Sequence, residues 1–263
     1  VFDTAFHATI PAEAATYALS DRLRNALGIR KFGFHGISHR YVVSEAARLS
    51  GKPLDDFNAV SCHLGSGGAS LCAVKNGRSV DNTMGHSPLQ GLVMSTRCGD
   101  LDPSVVLGLM TLEGGNVRSV EKILNKQSGV LGLSGLSSDI RDIVRELAES
   151  GPNAQTARRT LDVYTWRIRK YLGAYLTVAG NPDAIIFTDT IGESVPDVRR
   201  AVCAGLSAFG VKLDLKANRG ALTDNLPVEI STPESAPRVF AIRTNEELSI
   251  ARSVFNARAS LAL

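Results

Sequence analysis

The sequence predicts an α/β protein built on a mixed sheet with flanking helices, and three observations carry that prediction. Helix-periodic and strand-periodic segments alternate along all 263 residues, without repeats or low-complexity tracts. Three short β-patterned runs follow one another between positions 58 and 84, separated by glycine-containing turns. Much later, the continuous apolar run DAIIFT at 183–188 has the β-branched composition of a strand covered on both faces.

Taken in order, residues 11–19 and 20–27 read as short helices, and Ser38 stands before an amphipathic helical run, 39–49, closed by Gly51. From Asn58 the pattern becomes β: NAVSCHL, a glycine break between positions 65 and 68, ASLCAV, an Asn76-Gly77 turn, then RSVDNTM. Three consecutive antiparallel strands are expected there. Asp102-Pro103 is a helix start, with a capping acceptor followed by proline at the first helical position. Residues 139–150 and 154–178 carry apolar residues at three-to-four-residue spacing. The strand at 183–188 ends in Ile191-Gly192 and leads to a helix from Pro196, and a further strand at 238–245 precedes a last helix at 246–258.

Composition narrows the function. Lys and Arg exceed Asp and Glu by only three, and no basic run is interleaved with aromatics, so a nucleic-acid groove is not expected. Cys62, Cys72, Cys98 and Cys203 form no CxxC pair and have no histidine at zinc-finger spacing, which reads as buried thiols of a cytoplasmic protein. The apolar runs fall short of a membrane span, and Val1-Phe2-Asp3 reads as a mid-chain start.

Four segments have the residue types for chemistry on an anion. His63-Leu64-Gly65-Ser66-Gly67-Gly68 places glycines and a hydroxyl at a hairpin, where backbone N–H groups can converge on a phosphate; its plain alternative is a tight turn. Phe187 to Glu193 leads a buried strand through Gly192 into a helix, a place for a nucleotide or simply a strand-to-helix connection. Arg97 lies in a loop and is suited to clamping a phosphoryl group, although residue type alone makes it a surface charge. His35 has glycines close on both sides and can approach a ligand, whereas His39 reads as a capping or core histidine.

The pieces FDTAFH at Phe2, GFHGISHRYV at Gly33, CHLGSGGAS at Cys62, MGHSPLQGLVMSTRCGDLDP at Met84, SGVLGLSGLSSDIRD at Ser128 and TNEEL at Thr244 together resemble the acetate kinase family of the actin, sugar kinase and Hsp70 superfamily. The resemblance runs from Val1 to about Arg258. It implies an actin-like ATPase (ribonuclease H-like) domain at 7–245, an interdomain hinge at 1–6, and a C-terminal helix at 246–263 packing on a first domain with no counterpart in this sequence. It implies phosphorylation of acetate by ATP through direct in-line transfer, with Mg2+ or Mn2+, in a cytoplasmic homodimer.

Residue by residue, the resemblance gives Asp3 as an essential aspartate and His35 and Arg97 as groups that stabilise the transferring phosphoryl. His63 is the phosphate-loop histidine, with Gly65, Ser66 and Gly67 beside it. Pro88, with Arg97, faces the carboxylate substrate. Asp139, Ile140 and Arg141, with Thr190, Ile191 and Ser194, face adenosine, and Glu246 is linked to the metal. Ser66 departs from the family's asparagine in HLGNG, and Asp189, Thr190 and Ser194 replace the two leading glycines and the asparagine of its GGIGEN-like motif. A β-branched Thr190 is expected to fit poorly where the family has glycine. Two alternatives stay open: a propionate or butyrate kinase, and a non-catalytic actin-like nucleotide-binding domain.

Overall fold

Alternation along the central strands decides which side chains reach which layer. A computed structural model describes residues 1–261 and contains one six-stranded sheet. Its strands are β1 (Ala59–Leu64), β2 (Ala69–Lys75), β3 (Arg78–Asn82), β4 (Ala184–Thr188), β5 (Val228–Glu229) and β6 (Arg238–Ala241), in the spatial order β3-β2-β1-β4-β6-β5. The β1–β2 and β2–β3 pairs are antiparallel, as the sequence predicts; β4 lies parallel to both β1 and β6, and β5 closes the edge antiparallel to β6.

Helices α1 (Ala12–Ala15), α2 (Asp21–Leu27) and α3 (Gly36–Leu49) precede the first strand. Between β3 and β4 come α4 (Pro103–Leu112), α5 (Val117–Lys126), α6 (Gly129–Ser134), α7 (Ile140–Ala148) and α8 (Ala154–Ala179). Then α9 (Asp189–Ser194), α10 (Pro196–Cys203) and α11 (Leu215–Gly220) follow β4, and α12 (Glu246–Leu261) ends the chain's described part. No helix among the described residues is long and apolar enough to cross a membrane.

All six residues of β1 are buried, because the sheet is covered on both sides. Val60, Cys62 and Leu64 pack with Leu71, Ala73, Ile185 and Phe187 toward α8, whose buried residues Ala157, Leu161, Tyr164, Ile168, Leu172 and Tyr175 recur at helical spacing. The intervening residues Ala59, Cys72, Val74, Ala184 and Ile186 face Val42, Val43, Ala46 and Ala47 of α3. On that second face the apolar run gives way to Ser61, His63 and Ser70 at the end where α3 begins. The polar site is thus the end of one core face.

Four boundaries differ from the sequence reading. The helix expected at 11–19 stops at Ala15, where the chain turns to bring the Tyr17 hydroxyl to the His86 N–H at 2.9 Å. Helix α3 starts at Gly36 rather than His39. The turn expected at Ile191-Gly192 is already helical, since α9 begins directly after β4. The strand expected at 238–245 ends at Ala241, beyond which the Thr244 N–H is drawn to Glu193 Oε1 at 3.0 Å. The short edge strand β5 has no alternating pattern by which to be seen.

Helix α12 lies beside α3, with Arg252 Nη1 3.9 Å from Glu45 Oε1, and its apolar residues Leu248, Ile250, Val254 and Phe255 are exposed. Positions 262 and 263 of the expected C-terminal segment lie outside the described residues.

Arg199 ties the helices after β4 together. It is fully buried, and with no acid paired to it among the described residues its guanidinium donates to Asn218 Oδ1 (2.8 Å), Gly192 O (2.8 Å), Glu193 O (2.9 Å), Asn218 O (2.7 Å) and Ala221 O (2.7 Å). Burial lowers its pKa to about 10, which leaves it charged at neutral pH. Two acceptors are carbonyls in the last turn of α9, where a cation complements the helix dipole. Replacing Arg199 with Ala should cost about 3 to 5 kcal/mol, since several buried carbonyls lose their donors at once. Arg199→Lys should recover little, because an ammonium cannot span the fork. Urea unfolding of both variants at constant m checks this; a lysine variant as stable as the parent would refute the fork's role.

Candidate functional site

The site starts from a helix whose own cap residue supplies no side-chain acceptor. His35, at the N-cap of α3, is left-handed (φ 59°), and the first turn's N–H groups go to Asp3 instead. The His35 N–H donates to Asp3 Oδ2 at 2.6 Å, the Gly36 N–H to Asp3 O at 2.9 Å, and the Ile37 N–H to Asp3 Oδ1 at 3.4 Å. A carboxylate here complements the positive end of the helix. Gly36 has no room for a side chain, because a Cβ would overlap the Asp3 carbonyl. Asp3 thereby fixes the backbone that carries His35.

The His35 ring stacks on His63, centroids 4.1 Å apart and planes 26° from parallel. His63, from the end of β1, reaches Asp189 Oδ2 through Nε2 at 2.9 Å and Ser38 Oγ through Nδ1 at 2.9 Å. Beyond it the Gly65–Gly68 turn closes with the Gly65 N–H donating to Gly68 O at 3.0 Å, and Ser95 Oγ donates to Gly67 O at 3.2 Å. Arg97 donates to Pro88 O at 3.3 Å and leans on Met94. A Cβ placed on Gly68 would lie 3.3 Å from Arg97 Nη1 and 3.4 Å from His35 Nε2. The glycine therefore lets the turn, the guanidinium and the imidazole close on one point.

Asp189 enters this arrangement where sequence placed only a substitution. It takes the positive φ, 61°, that a direct strand-to-helix passage requires, and aspartate tolerates that region better than most residues. Thr190 is helical, so the strain expected of Thr190 falls on Asp189 instead. The Asp189 carboxylate fills the space beside Gly65, where a Cβ would overlap Oδ2. Burial alone would raise its pKa, but His63 and the Thr190 N–H and hydroxyl hold it well below the usual carboxylate range. Glu193 Oε1 accepts from the N–H groups of both Asp189 and Thr244, at 3.0 Å each, and joins α9 to the segment before α12.

His63, Asp189, Arg243, Thr244 and Glu246 line one side of a cleft of about 840 Å³. Glu246 has no cation paired with it among the described residues, and its pKa is raised by burial and by the charges of Asp3 and Asp189.

The residues expected at adenosine are divided. Asp139 caps α7 through the Arg141 N–H at 2.9 Å and pairs with the Arg141 side chain. Ile140 and Ile191 are buried in the core under α8, so only their backbones are available to a ligand. Ser194 Oγ turns back onto Thr190 O. Burial first of all pushes up the Tyr164 hydroxyl, and the charges of Asp139, at the start of α7, and Asp189, at the start of α9, add to it. Ser66 and Pro88 are exposed at the rim.

Sequence reasoning missed the hydroxyls beneath the histidines. Ser70 Oγ lies 2.9 Å from His35 Nδ1 and 2.8 Å from His39 Nε2, Ser61 Oγ is 2.9 Å from His39 Nδ1, and Thr244 Oγ1 is 2.9 Å from Ser38 Oγ. The available signal was serine recurring in strands otherwise buried on both faces. His39 is a fully buried, hydrogen-bonded core residue, as expected.

The model of the acetokinase family matches residues 1–252. The chain belongs to that family. It is 47% identical over 255 residues to the acetate kinase of Heliobacterium modesticaldum, covering 97% of this chain and 62% of that protein. It is 45% identical over 252 residues to that of Methanosarcina barkeri, covering 96% and 60%. The acetate kinase structure from Porphyromonas gingivalis superposes with a TM-score of 0.92 at 39% identity, covering 97% of this chain and 63% of that one. A propionate kinase from Francisella tularensis gives 0.86 at 37%, covering 95% and 62%. The chain thus spans less than two thirds of the length of these relatives. The mixed sheet with flanking helices is the actin-like ATPase fold that the resemblance implies.

The histidines make the fold sensitive to acid. Burial lowers His7 to about 4 and His35 to about 3, and holds His39 well below its ordinary value; at His35 and His39 neighbouring histidines add to the effect. In each case the folded pKa lies below the unfolded value near 6.5, so their stabilisation is complete above about pH 6.5 and is lost as pH falls below it. With three such groups the loss should approach about 4 kcal/mol per pH unit toward pH 5. Urea midpoints measured from pH 7.5 to 5 should fall accordingly, and His7→Gln should flatten the curve by one proton's share. A midpoint that is constant over this range would contradict the neutral cluster.

Proposed function

We propose that this chain carries the nucleotide-binding half of an acetate kinase, which transfers the γ-phosphoryl group of ATP to acetate and returns ADP and acetyl phosphate. The observation that supports this most is the closure of Arg97, His35 and the Gly65–Gly68 turn on one point. Phosphoryl transfer needs positioning and neutralisation of charge on the equatorial oxygens more than covalent chemistry, and a guanidinium, an imidazole and a glycine turn supply both.

In this reading Arg97 offers its fork to the transferring group while the neutral His35 donates from Nε2, and Asp3 keeps His35 in place through the start of α3. His63 and the turn of Gly65, Ser66 and Gly67 hold the nucleotide's phosphates. The starts of α7 and α9 receive the adenosine through Asp139, Arg141 and the backbones at Ile140, Thr190 and Ile191, with Ser194 beside them. Pro88 borders the acyl end. Glu246 has no paired cation among the described residues and feels the charges of Asp3 and Asp189; because the described residues bring no three metal-ligating side chains together, Mg2+ would be held there by Glu246 with phosphates and water completing its shell. Bound there, the metal supplies charge neutralisation for the phosphates. The division into a hinge at 1–6, a nucleotide domain at 7–245 and a helix from 246 that meets a further domain belongs to the same proposal, as does a cytoplasmic location. A homodimer is also part of it. It is supported by α4, an apolar helix with no buried residue, whose Val105, Leu107 and Leu112 stand exposed beside Val117.

Likeness to a propionate kinase favours a second acyl chain as rival, and one methylene in such a pocket is worth only about 1 to 3 kcal/mol. Phosphorylation assays of the intact enzyme on acetate, propionate and butyrate decide between them, and failure on all three refutes the kinase reading. Arg97→Ala should lower kcat by a factor of about 100 or more and change the KM for acetate far less. Near-normal turnover by that variant would return Arg97 to the surface.

Asp189 sets a negative charge beside the phosphate turn, so Asp189→Gly should tighten ATP binding about tenfold, a change titration calorimetry resolves. Weaker binding by the glycine variant would show that the Asp189–His63 pair is part of the binding site.

A further inference from the structure

Beneath the His35 ring lies a hydrogen-bonded chain, Ser61–His39–Ser70–His35, whose three inner members are completely buried. Each serine hydroxyl has one hydrogen, and each neutral imidazole has one N–H. Ser70, placed between His35 Nδ1 at 2.9 Å and His39 Nε2 at 2.8 Å, must therefore accept from one ring and donate to the other. The direction of that single hydroxyl fixes the proton on both histidines. Two directions satisfy every member, and they leave His35 Nε2, the free end of the chain at the cleft, either protonated or bare.

Phosphoryl oxygens carry no hydrogen, so they select the direction in which His35 Nε2 holds the proton. His35 Nδ1 then accepts from the Ser70 hydroxyl, Ser70 accepts from the His39 Nε2–H, and His39 Nδ1 accepts from the Ser61 hydroxyl. The reverse direction would turn an imidazole lone pair toward the anion. Resting on the phosphoryl-transfer reading of the site, we infer that Ser70 and His39 are positioning residues that hold His35 as an Nε2–H donor whenever a phosphoryl group occupies the cleft. Burial keeps these rings neutral, as the chain requires, and excludes water that could break it. The His7 ring, edge-on at 5.9 Å, and the stacked His63 ring at 4.1 Å keep both imidazoles from rotating out of the chain.

Long-range proton–nitrogen correlation spectra of the intact, 15N-histidine-labelled enzyme, recorded at about pH 8 with saturating ATP, whose terminal phosphate is then fully ionised, read the tautomers directly. His35 and His39 should both carry their proton on Nε2. Ser70→Ala should turn His35 into a mixture of Nδ1–H and Nε2–H forms, and Ser61→Ala should do the same to His39. In turnover, Ser70→Ala should lower kcat about tenfold or more with little change in either KM, and Ser70→Thr, which keeps the hydroxyl, should restore most of it. An Nδ1–H tautomer at His35 in the parent, or unchanged tautomers in both alanine variants, overturns the inference. Total absence of activity with the predicted tautomers would instead strike at the kinase reading alone.

Discussion

The site depends on the register in which β1 lies between β2 and β4. His63 stands opposite Ser70 on one side and Thr188 on the other, so the residues that touch His35 and those that start α9 reach the same edge of the sheet. A slip of β1 by one residue would send Ser61 and His63 to the α8 side, away from Ser70, and bring Cys62 and Leu64 under α3. Such a slip exposes polar groups to an apolar layer and starves the histidines of partners. The apolar residues that continue both core faces along the same strands therefore hold the chemistry in place without touching it.

Above that edge the charge is arranged in opposing pairs. Arg97 acts on the His35 ring as a cation, while Asp189 and Glu246 bring negative charge to His63. Asp3 holds the α3 terminus through its carboxylate, and its charge also reaches Glu246 in the cleft. Between them the His35 ring, kept neutral by burial, contributes a donor and a flat surface rather than charge.

Much of this was legible in the sequence where a local rule and the tertiary environment agree. The three antiparallel strands were set by alternation and an Asn-Gly turn, and α4 by Asp102 and Pro103. The glycine turn, His35, His63 and Arg97 were visible as residue types, and the family resemblance grouped them. What escaped was set by contacts distant along the chain. The early start of α3 depends on Asp3, more than thirty positions away, and the end of β6 on Glu193. Buried serines left only the weak signal of their recurrence in apolar strands, and the histidines they meet, partners distant along the chain, give that signal its meaning. The strain placed on Thr190 belongs to Asp189 because the strand-to-helix passage is one residue shorter than the glycine pattern suggests.

That passage has a consequence for how this segment can vary. From Thr188 the chain enters α9 through Asp189 alone, and Arg199 then grips the carbonyls of Gly192 and Glu193 from the next helix. Each added or deleted residue would turn α9 by about 100° about its axis, carrying Glu193 off Thr244 and the carbonyls off Arg199 together. The segment is therefore free to exchange side chains but not to change length. Its departures from the family motif, at Asp189, Thr190 and Ser194, are all of the first kind.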